Sequence, residues 1–132
     1  MALQLSTAAR NATLDAIEAT IGATPTLELR TGSPPANAAA ADSGTLLATL
    51  TLPADWMAAA SGGTKAKAGT WAGTGAAAGT AAHFRIKQGS TCHAQGTVTA
   101  TGGGGDMELG DLAVTVGKII AVATFTLTAP NA

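Results

Sequence analysis

A chain of 132 residues with a net charge of −1, 11% charged and 3% aromatic residues has the length of one domain. It has no cationic surplus with which to hold nucleic acid or an anionic membrane. Its single cysteine, Cys92, excludes an intramolecular disulfide. At this length roughly two thirds of the unfolded surface is buried on folding, and with Tyr absent the filling must be mostly Leu, Ile, Val and Ala. The opening "MALQLSTAARNATLDAIEATIG" has neither the cationic start nor the long apolar centre of a secretion signal, and no apolar run reaches a membrane span. The expectation is a soluble protein made in the cytosol. So few charges leave a surface weakly protected against association. Two causes fit: much of it is covered by partner chains, or a GC-rich genome favours Ala, Gly and Thr codons.

In chain order, the first predicted element is a helix over 6–22. Ser6 or Thr7 offers a hydroxyl to cap the first turn, and Leu14, Ile17 and Ile21 recur at helical spacing on one face. Asp15 and Glu18 lie off that face, and Gly22 suits the left-handed C-terminal position. The helix packs on its own domain or docks on a neighbour. The period then changes to two. "TLELRTG" is a strand candidate, and "GSPPANAAAADSG" a loop, because Pro34 and Pro35 cannot donate to a ladder. "TLLATLTL" places Leu46, Ala48, Leu50 and Leu52 opposite Thr49 and Thr51, and "ADWMAAASGG" reads as a short helical turn.

Further on, "TKAKAGTWAGTG" alternates weakly. "TAAHFRIKQG" sets Ala82, Phe84 and Ile86 against an outward His83, Arg85 and Lys87. "TCHAQGTVTATG" sets Cys92, Ala94, Gly96, Val98 and Ala100 inward and His93, Gln95, Thr97 and Thr99 outward. "DMELGDLAVTVGK" holds two short strands, and "IIAVATFTLTA" is the longest β run, expected as a central strand. About seven or eight strands without crossover helices point to a mainly β fold: an antiparallel β-sandwich or small jelly roll over 26–129 with one N-terminal α-helix, all in a single domain over 1–132.

Few residues could carry chemistry. A phosphate-binding loop needs Lys and Ser or Thr after its glycines, at the start of a helix. Gly102–Gly105 are followed by Asp106, Met107 and Glu108 instead, so this run reads as a flexible hairpin loop that tolerates shortening. "AGTGAAAGT" fails in the same way. His83 and His93 could meet Asp106 or Glu108 across strands, but a zinc site needs three or four convergent ligands. The expectation is two outward histidines, replaceable by Ala at little cost. Cys92 and His93 are neighbours on a strand and point to opposite faces, which is wrong for a nucleophile and its base. No catalytic residue, cofactor or metal site is expected. Trp56 and Trp71 are the large aromatics; each anchors either the core or an interface. With Leu14 and Ile17 they are the candidate interface residues.

The opening segment, "LELRTGSPPAN", "LATLTLPADWMAAASGGTKA", "GTAAHFRI" and the closing "FTLT" resemble a group of short proteins of tailed bacteriophages and prophages over most of the chain. The resemblance implies a structural component of the virion, assembled in the host cytoplasm. Its foremost form is a head decoration, or cement, protein that bridges and stabilises major capsid proteins, itself a trimer or dimer. The alternatives are a tail, baseplate or adaptor component, or a glycan-binding β module that recognises the host. The implied partners are the major capsid protein or other virion proteins, with neither nucleic acid nor membrane among them.

Overall fold

The computed structural model describes residues 2–132. Helix α1 (Thr7–Ile21) begins at Ser6, whose hydroxyl accepts the N–H of Ala9 at 3.2 Å. It ends at Gly22, with φ of 89°, a conformation that strains any residue with a Cβ. Eleven strands follow: β1 (Thr26–Arg30), β2 (Leu46–Thr51), β3 (Thr64–Ala66), β4 (Trp71–Thr74), β5 (Gly79–Thr80), β6 (His83–Gln88), β7 (Thr91–Ala100), β8 (Met107–Leu109), β9 (Ala113–Val114), β10 (Ile119–Val122) and β11 (Thr126–Thr128). The mainly β expectation with one N-terminal helix holds. The strands are shorter and more numerous than the seven or eight read from alternation.

The main sheet has the order β2-β1-β6-β7-β8. Its first four strands pair antiparallel, but β7 and β8 run parallel, which departs from the purely antiparallel expectation. The pairs β10-β4, β11-β3 and β5-β9 form the rest. The edge strands β2 and β8 are each partly covered, while the first half of β7 has no strand on its second side. On one side Ala48 bridges Gly75 beyond β4, and Leu47 accepts from the N–H groups of Ala76 and Ala77. On the other, Glu108 of β8 bridges Thr124 beyond β10. Such cover limits indiscriminate strand pairing at β2 and β8.

The enclosed core holds Leu27, Leu29, Leu50, Ile86, Met107 and Val122 among others. Through it runs a chain of rings that uses all four aromatic residues of the sequence: Trp56 to Trp71 at 5.9 Å, Trp71 to Phe125 at 5.6 Å, and Phe125 edge-on to Phe84 at 5.7 Å. Contacts of this geometry are favourable beyond the area they bury. Both indole N–H groups are satisfied, Trp56 by the carbonyl of Gly22 and Trp71 by those of Trp56 and Ala68.

Two elements differ from the sequence reading. Residues 54–60 form no helical turn; Met57 bridges Lys67 in an extended arrangement that seats Trp56 in the core. The run from Ile119 to Ala129 is not one central strand. Ile120 and Val122 are buried, then Phe125 and Ala129, so the buried parity switches and the chain bends into β10 and β11. The centre of the main sheet is β6, covered on both faces.

Helix α1 docks on its own domain. Its packed face includes polar residues that a purely apolar stripe leaves out. Asn11 accepts the N–H of Gly63, Arg10 donates to the carbonyl of Ala129, and Asp15 and Glu18 hold the ammonium of Lys65 on β3 at 2.6 and 2.7 Å. Together with Leu14, Ile17 and Ile21 these residues span about 160° of the helix at about 100° per residue.

Candidate functional site

Two regions gather polar side chains, and alternation on β6 builds the first. Phe84 and Ile86 enter the core, while His83, Arg85 and Lys87 project from the opposite face beside Glu28 and Arg30 of β1. The sequence reading made this an outward, solvated surface. Instead the loop 33–45 lies across it, and His83 is 0% exposed, Arg85 1% and Lys87 8%. The link is Asp42, which accepts from Arg30 at 3.2 Å, from Lys87 at 2.6 Å and from Arg85. Glu28 pairs with Arg30 and Lys87, and Arg85 also donates to the carbonyls of Ala38 and Ala40. Buried cations must be paired, so the loop is required for the sheet to carry these residues at all.

The hydrogen bond from Lys87, then that from Arg85 and the charge of Arg30, hold the Asp42 carboxyl below its ordinary pKa against the opposing effect of burial. Burial acts most strongly on Lys87 and disfavours its charge, but bonds to Asp42 and Glu28 outweigh it and leave its pKa raised. The cleft beside this cluster, about 680 Å³, is lined by Ala38–Asp42, Arg85, Lys87 and Ser90–Cys92.

His83 donates through Nδ1–H to the carbonyl of Gly32 at 2.7 Å, leaving Nε2 buried without a partner. The expectation of an exposed, dispensable His83 is therefore overturned; the face it occupies is covered. Cys92 is also displaced from its expected inward face. Between Ile86 and Lys87 the register slips, so that Ala94 opposes Ile86 but Cys92 opposes Lys87, with His93 as the extra residue of a bulge. A bulge reverses side-chain parity. Cys92 therefore reaches the charged face, where its Sγ accepts from Arg85 Nε at 3.2 Å, and the exposed His93 turns toward Ile17 and Ile21 of α1.

The second region is a hollow of about 590 Å³ between β7 and β11. Ile17, Ile21, Phe84, Ile86 and Phe125 form its apolar wall, and His93, Gln95 and Asp106 stand on its rim.

The glycine run is neither a hairpin nor loose. It joins the parallel strands β7 and β8, and all four of its amides are bonded within the chain. Gly102 and Gly104 donate to the two carboxylate oxygens of Glu108, Gly103 to the carbonyl of Ala100, and Gly105 to Thr99 Oγ1. Such amide nests bind anions; here the chain's own carboxylate is the anion. Asp106 accepts from the backbone and hydroxyl of Thr97.

His83, His93, Asp106 and Glu108 are therefore dispersed, and among the described residues no three His, Cys, Asp or Glu side chains converge as metal ligands. Of the candidate interface residues, Trp56 is 1% exposed, Trp71 0% and Leu14 2%, with Ile17 half-buried against the core. Trp56, Trp71 and Leu14 spend their area inside this chain and present no surface to a partner. The loop 33–45 was readable as a loop, but its role as a charged cover was not. A signal lay in Asp42, an acid near the end of that loop, and in the alternate cations of "HFRIK". No family model, curated protein or solved structure matches this chain.

Proposed function

We propose that this chain is a structural protein of a tailed-bacteriophage particle, of the head-decoration kind, that adheres to major capsid proteins as one copy among many. The observation that carries the proposal is that the chain's Lys and Arg side chains are bonded within it. All seven Lys and Arg residues are bonded inside the chain: Arg10 to Ala129, Lys67 to Gly69, and Arg30, Lys65, Arg85, Lys87 and Lys118 in ion pairs. What remains outside is largely Ala, Thr and Gly. It costs little to desolvate against another polypeptide, and among the described residues it offers no unbonded Lys or Arg to a polyanion. Val116 and Ile119, 73% and 77% exposed beside one turn, add apolar contact points. Weak contacts of this sort become strong when many copies bind one lattice.

The tail or baseplate reading predicts the same surface but a different stoichiometry. The glycan-binding reading is weaker, because it needs an exposed aromatic platform and the four aromatic rings form the internal chain. The test is to add the purified protein to capsids lacking it and to image the particles by cryo-electron microscopy. Regular density over the whole shell supports decoration. Density at a single vertex or on the tail supports the alternative, and no density on any particle overturns the virion reading.

A further inference from the structure

We infer that the hollow between β7 and β11 receives one extended strand of another polypeptide, aliphatic at alternate positions and basic at the end beside Asp106. The inference rests on where unpaired backbone groups point, and it stands apart from the virion proposal.

On β7, the N–H of Val98 donates to the carbonyl of Ala82, the residue preceding β6. The alternate residues Gln95 and Thr97 therefore aim their N–H and C=O groups away from β6. Thr97 directs its N–H to Asp106, while Gln95 lies where β7 has no second neighbour, since β8 pairs only from Val98 onward. On β11, Lys67 donates to Phe125 and Ala129 donates to Gly63. Hence Leu127 exchanges its bonds with β3, and the backbone groups of Thr126 and Thr128 face the other way. Among the described residues β11 pairs with β3 alone, so these groups face no paired strand, and both residues line the hollow. Two free strand edges thus flank one apolar-walled space of a size usual for ligand sites. A strand laid there meets hydrogen-bonding edges on both sides, while its alternate side chains meet Ile17, Ile86 and Phe125.

The charge is one-sided. Asp106 is the single carboxylate or Lys/Arg side chain on the lining, and Glu108 lines the adjoining hollow with Thr124 and Thr126. No Lys or Arg lines either space, so a basic residue on the incoming strand complements that end and an acidic one opposes it.

The probe is an acetylated, amidated heptapeptide, Lys-Val-Thr-Leu-Thr-Val-Thr, titrated into the isotope-labelled full chain and followed by NMR. Binding with a dissociation constant below about 1 mM, with shifts at the amides of Gln95, Thr126 and Thr128, is expected. The same peptide N-methylated at its threonines should bind at least tenfold more weakly, and replacement of its lysine by glutamate should weaken it severalfold. Thr128→Pro removes an outward N–H that β3 does not use and should lower affinity tenfold or more. Because that variant can fail to fold, the N-methylated peptide repeats the test on the unaltered protein. No shift at those amides with 1 mM peptide, or equal binding of the N-methylated form, overturns the inference.

Discussion

At the scale of single residues, the tetraglycine loop has lost the freedom its composition suggests. A Cβ on Gly103 would stand 2.7 Å from Thr99 Cβ, while Gly102 and Gly104 have φ of 86° and 78°. Gly103→Ala is therefore expected to cost about 1–3 kcal/mol through overpacking, and removal of two of the four glycines to cost more. Chemical denaturation of the two variants checks both. Glu108→Ala should cost about 1 kcal/mol, since its amides can turn to water in this exposed loop. The two histidines, alike in the sequence, separate here. His83→Ala should destabilise by roughly 2–3 kcal/mol through a cavity and the lost bond to Gly32, whereas His93→Ala should stay within about 0.5 kcal/mol. Thermal unfolding of the two single variants distinguishes them. The sequence shows both on alternating strands; only the loop above β6 makes one of them internal.

At the scale of elements, the loop 33–45 and helix α1 are each bound by charge. Asp42 has a folded pKa below its ordinary value of 3.8. Its stabilising contribution is therefore fully present above pH 3.8 and disappears as pH falls through the lowered value. The stability difference between the wild type and Asp42→Asn should be constant from neutral pH to about pH 4 and shrink below it. Protection of the amides of residues 33–45, measured against the intrinsic exchange rate at each pH, should fall over the same acid range. The ammonium groups of Lys65 and Lys87 have pKa values raised above 10.5, although burial, the largest single influence, opposes their charge. Their contribution is complete below pH 10.5 and is lost as pH rises through the raised values. For the helix, Lys65→Ala leaves a gap beneath Asp15 and Glu18 and should destabilise more than Lys65→Met, which keeps the stem's packing. Urea midpoints for the two variants give that order. The helix itself was legible from Ser6, Leu14, Ile21 and Gly22. Its polar docking positions were not, because Asp15 and Glu18 lie off the apolar face and gain a reason to pack only where β3 supplies Lys65.

At the scale of the whole molecule, the four aromatic rings make one continuous contact path through the core. Trp71 touches both Trp56 and Phe125. Trp71→Ala should therefore cost about 3–5 kcal/mol, a large part of the stability of a domain this size, while Trp71→Phe should cost markedly less. Intrinsic fluorescence unfolding curves, with Trp56 as the remaining reporter, measure both. With so few rings and so many alanines, the core depends on this path more than a core of mixed aromatics does. Every Lys and Arg is bonded within the chain and much of the outer surface is left to small neutral residues, the property on which the proposed role in a particle shell rests.

Local alternation, the caps of one helix and the prolines of one loop by themselves determined that this chain is mainly β, begins with a helix, and lacks the spacing of a phosphate loop. These features depend on neighbours in the chain, and neighbours in the chain are what a sequence displays. The tertiary structure alone decided that both faces of β6 are covered, that Cys92 and His93 exchanged faces at a bulge, that Glu108 filled the glycine nest, and that residues of β7 and β11 line one hollow. Each of these depends on a partner far away in sequence, and the register and burial that bring such partners together are set by the packing of the whole chain.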